Sequence, residues 1–192
     1  NTTANNNTAV GYASLSANTT GELNVSLGAS SLLDNTTGSR NTAVGEYALT
    51  NNTTASFNTA LGSSTLGANT TGSQNTAGGA GALDANTTAS FNIEVGRNAL
   101  GANTTGAYNI AIGNNAVDAN TTDNYNIGIG YNALTSEASG TSNVAIGHAA
   151  LEDSNGGNYN TAVGYGSLRD NTTADNNTAF GYHSLKANTT GA

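Results

Sequence analysis

The chain has 192 residues, of which 8 % are charged, a net charge of -8, and no Cys, Pro, Met or Trp. Lack of cysteine excludes disulfides and thiolate metal sites, and the scarcity of Lys and Arg argues against nucleic acid, which needs clustered positive charge. Large aliphatics are few enough to admit a disordered low-complexity linker, but there are no charge runs to keep such a chain expanded.

A short stretch, NTTANN (residues 1–6), opens the sequence as the tail of a repeat. Copies of 17 residues then begin at residues 7, 24, 41, 58, 75, 92, 109, 126, 143, 160 and 177, without insertion or deletion, the last being one residue short. Residues 1–192 therefore read as one repeat array. Position 1 of each copy is always Asn: Asn7, Asn24, Asn41, Asn58, Asn75, Asn92, Asn109, Asn126, Asn143, Asn160 and Asn177. Position 5 is always Gly: Gly11, Gly28, Gly45, Gly62, Gly79, Gly96, Gly113, Gly130, Gly147, Gly164 and Gly181. Position 9 is Leu in every copy except at Val117.

Each copy predicts a short strand over positions 2 to 5, because positions 2 and 4 alternate in character with 3 and 5. Position 2 exchanges Thr for Val or Ile, and position 4 is Val, Ile, Leu or Phe except at Gly78. Positions 2, 4 and 9 are expected to point into the core. A helix is disfavoured by the Asn, Thr and Gly content and by the lack of a 3.6-residue stripe. A strict short period with β-branched residues predicts an all-β parallel β-solenoid, a β-roll or β-helix with one coil per copy. Stacked Asn at position 1, and at position 12, are expected to form ladders. The constant Gly at position 5 implies a corner with positive φ or a close approach of another backbone.

Positions 3, 5 and 8 stay small except at Glu94, which is read as packing against a neighbouring chain. A coil with two or three apolar side chains looks marginal against the cost of ordering its backbone. Lateral association of identical chains follows as the expectation. The sequence begins with Asn1 rather than Met and neither end looks like a cap, so a segment of a longer fibre, or end-to-end stacking, is expected. Positions 6, 7, 10 and 16 vary and are expected to decorate the outside.

Two copies depart from the NTT that fills positions 12 to 14 elsewhere. One of them contains DSNGGN, in which Asp153, Asn155 and Gly157 faintly echo a calcium loop that lacks its closing Glu. The NTT triplets have three readings. One is a structural corner. A second is N-glycosylation, with acceptor sequons at Asn1, Asn18, Asn35, Asn52, Asn69, Asn86, Asn103, Asn120, Asn171 and Asn188. The third is ice binding by outward Thr, disfavoured because the two Thr are adjacent and position 2 behaves as a core site.

Aromatic residues recur at position 17 (Phe57, Phe91, Tyr108, Tyr125, Tyr159) and position 6 (Tyr12, Tyr131, Tyr165, Tyr182), as packing or as a sugar-binding strip. His148 and His183 fall at variable positions and read as surface residues. No carboxylate pair or Ser–His–Asp arrangement recurs, and GGAG (Gly78 to Gly81) lacks the Lys of a phosphate loop. No enzyme, cofactor or metal is expected. No apolar run is long enough to cross a bilayer, so this segment is not expected to insert in a membrane.

The phrases SNVAIGHAAL (Ser142 to Leu151), YNIAIGNNAV (Tyr108 to Val117) and NTAVGYGSL (Asn160 to Leu168) resemble the head repeats of trimeric autotransporter adhesins, whose motif is N-S-V-A-I-G-x-x-S/A. Similar phrases look like those of bacterial and phage tail-fibre-like proteins. The resemblance implies a left-handed β-roll, three chains per fibre, and display outside the cell for attachment to a cell-surface or glycan receptor. The NTTG segment lengthens this repeat relative to the adhesin head. An adhesive structural fibre is the leading expectation, and an ice- or glycan-binding solenoid the alternative.

Overall fold

The computed structural model describes residues 3–136 and 140–191. Three-residue strands occupy positions 2 to 4 of each copy: β1 Thr8–Val10, β2 Val25–Leu27, β3 Thr42–Val44, β4 Thr59–Leu61, β5 Thr76–Gly78, β6 Ile93–Val95, β7 Ile110–Ile112, β8 Ile127–Ile129, β9 Val144–Ile146, β10 Thr161–Val163 and β11 Thr178–Phe180. They form one parallel 11-stranded sheet in chain order. Each strand pairs with the next at an offset of one repeat, as Thr42 with Thr59, Ala43 with Ala60 and Val44 with Leu61. The chain is a parallel β-solenoid in which equivalent residues stack coil upon coil. No described helix is long and apolar enough to cross a membrane.

The strand alternation is present, but its phase is opposite to that expected. Position 3 faces inward: Ala43, Ala60, Ala111, Ala145 and Ala162 are fully buried. Positions 2 and 4 face outward, with Val95 49 % and Leu61 47 % exposed. Only position 9, of the three positions assigned to the core, lies inside, where Leu32 to Leu168 and Val117 form the axial column. Position 8 lies beside it, and Ala48, Ala82 and Ala133 are fully buried. Positions 3 and 8 are therefore small because the coil is narrow, not because a neighbouring chain presses on them. The coil has room for one Leu and two small side chains per layer. Where Gly128 replaces Ala at position 3, an added Cβ would lie 2.4 Å from Val117 Cγ2, so these two departures from the consensus compensate each other.

Between strands the chain turns by placing ordinary residues in the left-handed region. Positions 7, 9 and 17 do so in successive coils, as at Tyr47 (φ 58), Leu49 (φ 51) and Phe57 (φ 64). Such residues cost about 1–2 kcal/mol each. The conformation directs their N–H groups along the solenoid axis: Tyr47 donates to Ala29 O at 3.0 Å, Leu49 to Thr65 O at 3.0 Å and Phe57 to Ser39 O at 3.1 Å. Strain within one coil is thus coupled to bonding between coils. Gly at position 5 has a different constraint. Gly96 has φ +140, and an added Cβ would lie 2.4 Å from Gly113 O in the next coil. A side chain there forces two coils apart. Gly96→Val is expected to lower stability by about 3 kcal/mol or more, whereas Arg97→Ser at the adjacent surface position changes it by less than about 0.5 kcal/mol. Thermal melting followed by circular dichroism distinguishes the two.

Glu94, expected at an interface, instead occupies position 3 in the core. It is fully buried between Ala77 and Ala111 of the neighbouring strands, and neither carboxyl oxygen has a hydrogen-bond partner. Burial holds its carboxyl well above the ordinary pKa of 4.5. When pH rises through 4.5, the unfolded chain releases this proton while the folded chain keeps it, so folding weakens. Glu94→Ala is expected to raise the urea midpoint at neutral pH and to raise it less at pH below 4.5. An equal gain at both pH values would contradict the buried, protonated assignment.

Candidate functional site: the outward sheet face

The face is held in register by side-chain bonds that begin at position 1. Asn41 Nδ2 donates to Ala55 O of its own coil at 2.8 Å, and Asn41 Oδ1 accepts the Asn58 N–H of the next coil at 3.0 Å. The same two bonds recur from Asn7 to Asn160, with the Oδ1 of Asn160 accepting from Asn177 N–H. This column is a ladder of side chain to backbone. The amide-to-amide ladder lies at position 12 instead, where Asn35 donates to Asn18, Asn52 to Asn35, Asn69 to Asn52, Asn86 to Asn69 and Asn103 to Asn86, at 2.8–3.2 Å. Both asparagines of one coil converge on the same acceptor. Asn24 and Asn35 each donate to Gly38 O, and Asn58 and Asn69 each to Gly72 O.

This geometry weighs against the glycosylation reading at eight of its ten sites. Asn18, Asn35, Asn52, Asn69, Asn86, Asn103, Asn120 and Asn171 are buried, and the nitrogen that a sugar would occupy donates to a carbonyl inside the coil. A glycan there and this coil exclude each other. Asn188 is half-buried on the last coil, with Nδ2 donating to Gly191 O at 2.7 Å, and Asn1 lies outside the described residues. The first Thr of each triplet adds a further axial ladder, as Thr36 Oγ1 donates to Thr53 O at 3.0 Å and Thr70 Oγ1 to Thr87 O at 3.0 Å. Position 16, expected to be free decoration, also bridges coils: Ser56 N–H donates to Ser73 Oγ and Ser73 N–H to Ser90 Oγ.

Held in this way, positions 2 and 4 form two parallel columns on the outer side of the sheet. None of these residues is charged. Ile93, Ile110, Ile127 and Val144, with Val95, Ile112, Ile129 and Ile146, make an aliphatic block four coils long. Thr predominates at position 2 on either side of it, and Gly78 leaves a gap at its edge. At the usual strand spacing the face is roughly 48 Å long and 10 Å wide, or about 500 Å², near the upper end for the largest apolar patch on a monomer. Position 2, assigned to the core when ice binding was weighed, therefore presents its Thr outward, two residues from a second outward column.

Aromatic columns follow the strand on both sides in the chain. Phe91, Tyr108 and Tyr125 stack at 4.8 and 5.3 Å between ring centroids. Tyr131, His148 and Tyr165 stack at 5.3 and 4.9 Å, and Tyr165 stacks on Tyr182 and His183. Each ring covers the face of the next, so within a column mainly edges are open, whereas a sugar would stack on ring faces. Burial raises the Asp84 carboxyl pKa, and burial likewise raises that of Asp118. Among the described residues no three His, Asp or Glu side chains are grouped to hold a metal ion, Asp153 included, and there is no pocket.

The phase of the sheet had a signal in the sequence. Position 4 accepts both Gly78 and Phe180, which a narrow interior would not, while positions 3 and 8 stay small in nearly every copy. The ladder that sustains the face yields a direct expectation. Asn69→Ala removes bonds to Asn52, Gly72 and Asn86 and should cost about 2–4 kcal/mol. Thr71→Ala, on the outside of the same corner, should cost less than about 0.5 kcal/mol. Urea denaturation of the two variants makes the comparison. Comparison of the chain with protein-family models, with curated protein sequences and with solved structures finds no match.

Proposed function

We propose that the chain is the rod of an extracellular structural fibre, and that copies associate side by side through the outward face of the sheet. The observation that carries this reading is the uncharged column pair at positions 2 and 4, with its aliphatic block from Ile93 to Ile146. A stable interface buries about 800 Å² per partner. The face provides about 500 Å², and the flanking aromatic columns supply further apolar area. The aliphatic block also favours one arrangement. Parallel copies in register match Ile with Ile and Thr with Thr, whereas antiparallel copies centred on β6 would set Ile127 against Thr59 and Val144 against Thr42.

The resemblance to trimeric adhesin heads supports three chains and display at a cell surface. In this reading the protein is a scaffold rather than an enzyme, and the variable turn residues at positions 6, 7 and 10 are what a receptor would meet. Ice binding by the same face is a second reading, favoured by one observation: outward residues two apart, many of them Thr, repeat on every strand. The unbroken run Ile93, Ile110, Ile127 and Val144, and the size changes from Gly78 to Phe180, make that surface irregular.

Sedimentation of the purified chain tests the proposal. The expected species is a trimer. Ile110→Lys with Ile127→Lys is expected to sediment as a folded monomer with an unchanged circular dichroism spectrum, because both side chains point out of the coil. A wild-type chain that stays monomeric at high concentration would overturn self-association, and thermal hysteresis by that monomer would favour ice binding.

A further inference from the structure

Coil nine, residues 143–159, departs from the others at one turn. Ser154 replaces the ladder Asn, and Asn155 and Gly156 replace the two Thr. The Ser154 hydroxyl is buried without a partner, so the amide rung is missing here. Gly156 has φ 113, whereas no described Thr at the equivalent place has a positive φ. Asn155 is exposed, and its side chain occupies no rung.

The asparagines of both ladders share a second protection. Each is followed by Thr, Val or Ile, whose branched Cβ crowds the next backbone nitrogen. Asn155 is followed by Gly, and Asn155–Gly156 is the one Asn–Gly pair in the sequence. A glycine nitrogen is the least hindered toward the preceding side-chain carbonyl.

We propose that Asn155 is a site of spontaneous deamidation, a modification the chain carries out on itself with water as its only co-reactant. The Gly156 nitrogen, on losing its proton to solvent, attacks Asn155 Cγ and closes a five-membered succinimide. The Cγ–Nδ2 bond breaks, and the departing nitrogen leaves as ammonia. Water then opens the ring. Cleavage of the bond from the Gly156 nitrogen to Cγ gives aspartate, and cleavage of its bond to the main-chain carbonyl carbon gives isoaspartate. One water is consumed, one ammonia is released, and nothing is oxidised or reduced.

Two consequences follow from the location. A new carboxylate joins Glu152 and Asp153 on the same turn. The isoaspartyl form also lengthens the main chain at a residue whose N–H donates to Thr172 O of the next coil at 2.8 Å. Modification therefore loosens the junction between coils nine and ten, where the amide rung is already absent.

The test is incubation of the folded chain at mildly alkaline pH, followed by peptide mapping with mass spectrometry and labelling by an isoaspartyl methyltransferase. Asn155 is expected to convert first, while Asn143 and Asn160 stay intact. Gly156→Thr, which restores the residue most copies carry, is expected to slow conversion to the level of the ladder asparagines. Asn155→Thr is expected to abolish the label in this peptide. Conversion of a ladder asparagine before Asn155, no conversion at Asn155, or an unchanged rate in Gly156→Thr would each overturn the proposal.

Discussion

Eight of the coils, the first seven and the tenth, each close on one carbonyl. The oxygen at position 15 accepts an amide from the Asn at position 1 and another from the Asn at position 12, as Ala55 O does from Asn41 and Asn52. A carbonyl has two lone pairs, and here both are used by the coil's own side chains. The contact brings the beginning and the end of the repeat together across the interior. It also leaves Asn41 Oδ1 and Asn52 Oδ1 pointing along the axis, where they accept from Asn58 and Asn69 of the next coil. Closure of one coil and attachment of its successor are thus done by the same two side chains. Asp in either place would lack the donor that makes these bonds.

The narrowness of the coil follows from that closure and explains its composition. Two asparagines, an Ala at position 3, a small residue at position 8 and one Leu fill the interior. A core of this kind is dominated by hydrogen bonds rather than apolar area, which accounts for the low hydrophobic content of a well-ordered array. It also explains how polar variants are accommodated. Ser14, Ser26 and Ser31 occur together and bond to one another at 2.6–3.2 Å, so the hydroxyls are satisfied as a group. Glu94 stands apart because neither of its carboxyl oxygens has a partner.

The repeat length, the strand position and the solenoid could be read from the sequence because they depend on periodicity, which survives without knowledge of the interior. The outward face could not be read so directly. Alternation gives two faces but not which one is inside, and hydrophobicity pointed to the wrong one: the largest side chains, at positions 2 and 4, lie outside. In a wide solenoid large residues fill the core, whereas in this narrow one they are excluded from it. The left-handed conformation at Leu49 or Phe57 leaves no mark on the sequence, because neither residue is one that favours it. Position 12 was legible as a ladder column, as the structure bears out, although a sequon and a ladder rung are written with the same letters.

The direction of the bonds has a mechanical consequence. Those that join one coil to another run along the solenoid axis, as from Thr42 N–H to Asn58 O and from Leu49 N–H to Thr65 O, and link each coil to its immediate neighbours. Tension applied to a single chain through its ends therefore peels the terminal coil without disturbing the rest. Each released coil adds roughly 50 Å of extended chain in exchange for one strand spacing. A rod of such coils lengthens by discrete steps under load and dissipates work at every step, while the remaining coils keep their register.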